Sequence, residues 1–193
     1  TAGLGPAGLG TRGVVIGVVG ASRIGRRVIA LLGALDATIL LADPYVPPEQ
    51  AAALGVELVT LDELLAASDV VTLHAPATPR TRRLLDRRRL RLLRDGATLV
   101  NTARGSLIDE AALVEELVTG RIDAVLDVTD PEPPRPDSPL YELPNVFLTP
   151  HLAGALGNEI PRLTESALDE LARYAAGEPF AYPVRAEEFD HIA

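Results

Sequence analysis

The chain of 193 residues contains no cysteine, no methionine and no tryptophan. Without cysteine there is no disulfide, no thiolate nucleophile and no thiolate metal ligand. Lysine is absent too, so all 18 basic residues are arginine, a bias read as compositional rather than as a site. That excludes Schiff-base chemistry and a phosphate-binding lysine of the P-loop kind. Aromatic residues make up only 4% and the net charge is −9, so the chain has few stacking platforms and no basic field for phosphates. No nucleic-acid partner is expected. No apolar run approaches the ~20 residues needed to cross a bilayer; Val14 to Val19 is of strand length, and no membrane association is expected. No signal-peptide pattern opens the sequence, so a cytoplasmic location is the default expectation. A chain that begins at Thr1 and lacks methionine reads as a fragment, a processed chain or a trimmed one.

What is present is a packed-core composition, 47% apolar, arranged in a regular alternation. Residues 1–12 are glycine-rich and read as a linker or stub. Seven short apolar runs follow: Val14–Val19, Thr38–Ala42, Val56–Leu58, Val70–His74, Ala97–Asn101, Ala124–Val128 and Val146–Leu148. Most are continuous rather than alternating, as strands buried on both faces should be. Helical patterns lie between them, over Ile24–Leu35, Glu49–Leu54, Leu61–Ala67, Asp86–Leu93 and Glu110–Thr119. This predicts an α/β fold, a doubly wound parallel sheet with helices on both faces. Asp130 to Pro139 holds five prolines and predicts a stiff, irregular loop. A final helix over Glu159–Ala176 closes at Gly177. Arg80 to Arg94 carries eight arginines beside Leu84, Leu85, Leu90, Leu92 and Leu93, which reads as a solvated face over a core stripe. Glu187, Glu188, Asp190 and His191 read as a solvated tail, and no metal site is expected.

The first strand runs into Gly20-Ala21-Ser22-Arg23-Ile24-Gly25 and then a helix. Strand, glycine turn and helix N-terminus are the parts of a dinucleotide fingerprint, in which unpaired N–H groups and the helix dipole meet a pyrophosphate. Gly20 makes the turn and Gly25 lets helix and strand approach, while Ser22 stands where the usual pattern has its middle glycine. A purely structural glycine turn is the alternative on this motif alone. The second strand ends at Asp43, eighteen positions past Gly25, near the spacing of a ribose-binding acid that accepts both hydroxyls of NAD and repels the extra phosphate of NADP. A plain Asp-Pro loop opening is the other reading of Asp43.

Three further segments follow predicted strands, on the sheet edge where such folds bind ligands. Arg104, in Asn101-Thr102-Ala103-Arg104-Gly105, offers a fork of donors suited to a carboxylate, although most arginines simply coat the surface. Asp127 ends the sixth strand, placed to accept from a nicotinamide carboxamide, and Glu132 lies in the proline-rich loop beyond it. His151 follows the seventh strand and is one of three histidines; a lone histidine is more often structural than catalytic. Together they make a coherent set. Reducing a ketone by hydride needs a proton donor that titrates near neutrality, a carboxylate to orient it and a cation for the substrate carboxylate.

These segments resemble the D-isomer-specific 2-hydroxyacid dehydrogenases, the family with phosphoglycerate, D-lactate and glyoxylate/hydroxypyruvate activities. The matching strings are VVGASRIGRRV, LLADPY, DVVTLHAPATPRTRRLLD, LLRDGATLVNTARGSLIDEAALVEEL, GRIDAVLDVTDPEP and LPNVFLTPHLAG, which cover nearly all of Val14 to Gly154. The resemblance implies a Rossmann-type domain over 13–154 that binds NAD and an enzyme acting on a small 2-oxo or 2-hydroxy acid. It places the catalytic arginine on Arg104, the glutamate on Glu132 and the acid/base histidine on His151. It places cofactor contacts on Gly20, Ser22, Arg23, Ile24, Asp43, Ala75, Pro76, Thr102, Ala103, Asp127, Ala153 and Gly154, with His74 supporting its loop. It implies a homodimer, a substrate lobe largely N-terminal to Val14 and missing here, and a C-terminal helix and tail over 155–193 that pack on that lobe. A non-catalytic NAD-binding or NAD-sensing module is the alternative function.

Overall fold

In the computed structural model, which describes residues 10–186, each of the seven apolar runs becomes a strand. Residues 1–9 of the glycine-rich linker, and the acidic group Glu187, Glu188 and Asp190 with His191, lie outside the described residues. The strands are β1 Val15–Val19, β2 Thr38–Ala42, β3 Glu57–Leu58, β4 Val70–Leu73, β5 Thr98–Asn101, β6 Asp123–Leu126 and β7 Val146–Leu148. The helices are α1 Arg23–Leu32, α2 Pro48–Ala53, α3 Leu61–Ala67, α4 Arg87–Leu90, α5 Glu110–Val118 and α6 Glu159–Ala175. One sheet holds all seven strands in the order β3-β2-β1-β4-β5-β6-β7, every pairing parallel.

The continuous apolar runs are explained by burial on two faces. Along β2, Ile39 and Leu41 join Ile29 of α1 and Ala51 of α2 in one cluster. The alternate residues Leu40 and Ala42 join a larger cluster with Leu64 and Leu65 of α3, Leu90 of α4, and Leu113 and Leu117 of α5. Gly17 of β1 is a close approach on that second face: a Cβ there would lie 2.4 Å from Leu64 Cδ2.

Several helices end earlier than their hydrophobic period suggests. α1 stops at Leu32, because Gly33 weakens its last turn and Leu35 donates only to Leu32. α4 is a single turn capped by Asp86; beyond it Leu92 donates to Arg89 and Leu93 to Leu90, i→i+3 bonds of a tighter coil that keep Leu90 and Leu93 buried. α6 is followed by Ala176 as its cap, and Gly177 sits one place later at φ +71°, where Gly177 donates to Tyr174 and Glu178 to Arg173. The arginine-rich segment is a solvated face whose charges meet carboxylates of α3, α5 and the turn after α3. Arg88 and Arg89 bond Asp62, Arg87 bonds Glu115, and Arg94 bonds Asp69.

The strand order places a switch at β1, whose neighbours are β2 on one side and β4 on the other. The two connections leave β1 and its neighbour in opposite directions, and a crevice opens beyond their C-terminal ends.

Candidate active site

The crevice begins at Gly20, held at φ +94° with its N–H on the carbonyl of Ala42. A Cβ there would lie 2.8 Å from the backbone nitrogen of Ala75, so only glycine lets the turn pass this close to the loop after β4. Gly25 has the same role inside the turn: its Cβ would fall 2.1 Å from the carbonyl oxygen of Gly20. Ser22 caps α1, its Oγ accepting the N–H of Gly25 at 3.2 Å. The hydroxyl keeps its proton for another acceptor, and the N–H groups of Arg23 and Ile24 have no acceptor inside the helix.

Asp43 joins the end of β2 to this turn. One carboxylate oxygen accepts the N–H of Ala21 at 2.7 Å and the other that of Tyr45 at 2.8 Å. These residues open onto a cleft of about 1010 Å³, bounded also by Pro76, Thr78 and Arg80. That is the upper end of the ~300–1,000 Å³ typical of ligand clefts. Across its mouth Arg80 donates to the Tyr45 hydroxyl at 3.3 Å. Beneath it His74 is buried, its ring Nε2 paired with Thr72 Oγ1 at 2.9 Å, and burial pushes the imidazole pKa down, favouring the neutral form. It supports the loop rather than facing the cleft.

Beyond β5 the Asn101 side chain, fully buried, clamps the loop that carries Arg104. Its amide donates to the carbonyl of Arg104 at 2.9 Å and its carbonyl accepts the N–H of Ala103 at 3.1 Å. Arg104 itself is exposed, and its guanidinium turns back onto the carbonyl of Ala103 at 2.6 Å.

Beyond β6 and β7 the structure brings Asp127, Glu132 and His151 into one assembly. Asp127 is buried and its carboxylate accepts three bonds, from Thr149 Oγ1 at 2.5 Å and from the N–H groups of Leu152 and Ala153 at 2.7 and 2.8 Å. Burial alone would push its carboxyl up. The three donors, with His151 nearby, outweigh burial and hold it below the ordinary carboxylate value. The backbone of Asp127 also accepts the N–H of His151 at 3.0 Å. His151 is thereby fixed at φ +57°, a left-handed conformation that non-glycine residues adopt only when their surroundings impose it. Its Nδ1 lies 2.5 Å from Oε1 of Glu132. With a carboxylate at Nδ1 the ring carries its proton there, and Nε2 is left for exchange with a ligand.

Of the sequence-derived residues, Gly20, Ser22, Arg23, Asp43, Ala75 and Pro76 line one cleft, and Asp127, Glu132 and His151 share a second of about 670 Å³. Ile24 is largely exposed on α1. Thr102 and Ala103 follow β5 beside Arg104, which bonds neither Glu132 nor His151; Ala153 is held through its N–H, and Gly154 is exposed. Asn101 and Thr149 were visible as polar residues at strand ends, but the sequence gives no sign that they clamp the loops of Arg104 and His151.

Comparison with known proteins agrees with this geometry. Residues 4–153 match the family model described as D-isomer specific 2-hydroxyacid dehydrogenase, NAD binding domain. The D-3-phosphoglycerate dehydrogenase of Archaeoglobus fulgidus is 44% identical over 149 residues, covering 77% of this chain and 28% of the relative. The apo structure of Rhodotorula graminis D-mandelate dehydrogenase superposes with a TM-score of 0.82 at 29% identity, over 92% of this chain and 52% of that one. The NAD-complexed D-isomer specific 2-hydroxyacid dehydrogenase of Lactobacillus delbrueckii ssp. bulgaricus superposes with a TM-score of 0.78 at 27% identity, over 89% and 56%. The chain thus spans only part of the length of the relatives it matches.

Proposed function

The chain belongs to the D-isomer specific 2-hydroxyacid dehydrogenases, matching their NAD binding domain, and from this premise we propose that it carries the cofactor site and proton-transfer pair of an enzyme interconverting a 2-oxo acid and a D-2-hydroxy acid. The observation that carries the reading is the contact of His151 Nδ1 with Glu132 at 2.5 Å, on the sheet edge where ligands bind.

The residues present fit the dinucleotide. The open N–H groups of Arg23 and Ile24 and the Ser22 hydroxyl suit a pyrophosphate above the Gly20 turn. Asp43 would receive the ribose hydroxyls on its remaining lone pairs, and Ala75 and Pro76 would wall that side. Thr102, Ala103, Asp127, Ala153 and Gly154 stand at the nicotinamide end. NAD, when bound, supplies or accepts the hydride.

The chain's own groups do the rest. Arg104 swings from the Ala103 carbonyl to hold the substrate carboxylate with two parallel donors. His151 Nε2 gives its proton to the carbonyl oxygen during reduction and takes it back during oxidation. Glu132 accepts from Nδ1 and fixes the ring so that Nε2 is the nitrogen presented to the substrate. A module that only bound or sensed NAD would have no use for this pair. None of the residues of α6 is buried, and Ile160, Leu163, Leu168, Leu171 and Tyr174 are exposed on it; we read this helix as the face that packs on a substrate lobe. A homodimer and a cytoplasmic setting complete the reading.

The test is enantiomer-resolved turnover. NAD should be reduced with a D-2-hydroxy acid and not with its L form. NADH binding by calorimetry, with no turnover in the complete protein on any 2-oxo acid of a broad panel, would leave the binding module instead.

A further inference from the structure

The Glu132–His151 pair is held from two sides. Asp127 grips the turn of His151. Glu132 sits in a proline-rich loop that needs its own anchor. That loop begins at Thr129 and Asp130, pressed on Gly105 so closely that a Cβ at Gly105 would lie 2.0 Å from the Thr129 carbonyl oxygen and 2.7 Å from the Asp130 nitrogen. Thr129 Oγ1 ties the loop to the Pro131 carbonyl at 2.8 Å. From the side, Glu110 of α5 accepts the N–H of Asp130 at Oε2, 3.0 Å away. Two residues further along the chain is Glu132.

Glu110 is not needed to cap α5. Asp109 already does so, its Oδ1 accepting the N–H of Ala112 at 3.3 Å. The Glu110 side chain is instead partly buried against the loop. Burial pushes its carboxyl up from the ordinary value, the Asp130 N–H opposes that, and the Asp130 charge adds to it. An acid in the first turn complements the helix N-terminus by charge alone, but that does not account for a carboxylate partly buried against the loop and aimed at a backbone donor of it.

We propose that Glu110 is a positioning residue for the Glu132–His151 pair, fixing through the Asp130 N–H the loop that presents Glu132. Its significance rests on the reading of that pair as the proton-transfer couple. What Glu110 must supply is reach and an acceptor oxygen, not charge. A glutamate acting only as a negative charge at the helix N-terminus would have the opposite requirement.

Two variants of the 193-residue chain separate these roles. Glu110→Gln keeps the length and a carbonyl acceptor but loses the charge. Glu110→Asp keeps the charge but is one methylene short. The readouts are hydrogen exchange of the Asp130 amide and the downfield NMR resonance of the His151 Nδ1 proton, assigned by its loss in His151→Gln. Glu110→Gln should keep both signals. Glu110→Asp should lose the Nδ1 resonance and exchange the Asp130 amide faster by roughly tenfold, the mark of one lost hydrogen bond. The reverse pattern, or two variants that behave alike, overturns the proposal. Neither signal requires cofactor or substrate. A protein without dehydrogenase activity that gave the expected pattern would sink the reaction and leave the positioning role standing, and an active enzyme with the reverse pattern would do the opposite.

Discussion

The N–H of His151 donates to the backbone carbonyl of Asp127 at 3.0 Å, while the Asp127 carboxylate accepts the N–H groups of the next two residues, Leu152 and Ala153. One buried acid thus dictates the left-handed conformation of His151. In Asp127→Asn a single amide oxygen replaces two acceptors, leaving a donor of the turn unpaired. The variant should lose about 1–3 kcal/mol of stability, read from urea unfolding at neutral pH. An unchanged midpoint would show that the turn does not depend on the carboxylate.

The same acid gives stability a definite pH dependence. A carboxyl whose folded pKa is depressed contributes fully above its unfolded value, about 3.9 for aspartate, and loses that contribution as pH falls through the folded value. Burial acts against the depression at Asp127, and the bonds from Thr149, Ala153 and Leu152 outweigh it. Acid unfolding of the wild type should therefore include a component below about pH 4 that Asp127→Asn lacks. Parallel acid titrations of the two proteins by circular dichroism compare them directly.

Gly105 is predicted to be intolerant of any side chain. In Gly105→Ala the new Cβ meets backbone atoms of Thr129 and Asp130 at 2.0 to 2.7 Å, and backbone there cannot yield without moving the loop of Glu132. The expected cost is about 3 kcal/mol or more, measured as a fall in the denaturant midpoint. A loss under about 0.5 kcal/mol would mean that the two loops are not packed as described.

Arg83 should be replaceable with profit to stability. It sits at φ +50°, and its exposed guanidinium reaches the partly buried Asp109 only at 3.9 Å. Left-handed backbone costs a non-glycine residue about 1–2 kcal/mol, and such an ion pair adds little. Arg83→Gly should raise stability by roughly 0.5–1 kcal/mol after the added entropy of glycine. Calorimetry should find a melting point higher by about 1–4 °C; a lower one would contradict the strained backbone.

Much of this was legible in the sequence. All seven strands lie within or next to the runs that foretold them, because residues buried on both faces must be apolar without interruption. Glu132 and His151 were named through the resemblance of their segments to the family's, and the fold brings the two side chains within 2.5 Å of each other. The positions that hold them were not legible. The Glu110 bond to Asp130 joins residues twenty apart, and the Asn101 clamp depends on how the backbone turns after β5. Nothing local marks Arg83 as left-handed, since its conformation follows from the bond of its N–H to Ser106. α4 ended early because its last leucines are buried by an i→i+3 coil, which preserves the apolar spacing that suggested a longer helix.

Asp43 lines the cleft while tethered to Ala21 and Tyr45, and the proposed function assigns it the choice of NAD over NADP. Asp43→Ala should weaken NADH binding by about tenfold or more, the scale of a lost charge-assisted bond, and narrow the preference for NADH over NADPH. Dissociation constants for both nucleotides, wild type against variant, check it; an unchanged ratio would remove Asp43 from the ribose site.

The proposed reaction depends above all on His151, held by Glu132, moving the proton. Its most direct test is the turnover of NADH with 2-oxo acids by the complete protein carrying this chain, wild type against His151→Ala. Turnover should fall roughly 10²–10⁴-fold with NADH affinity unchanged; equal turnover in the two proteins would mean that His151 does not move the proton.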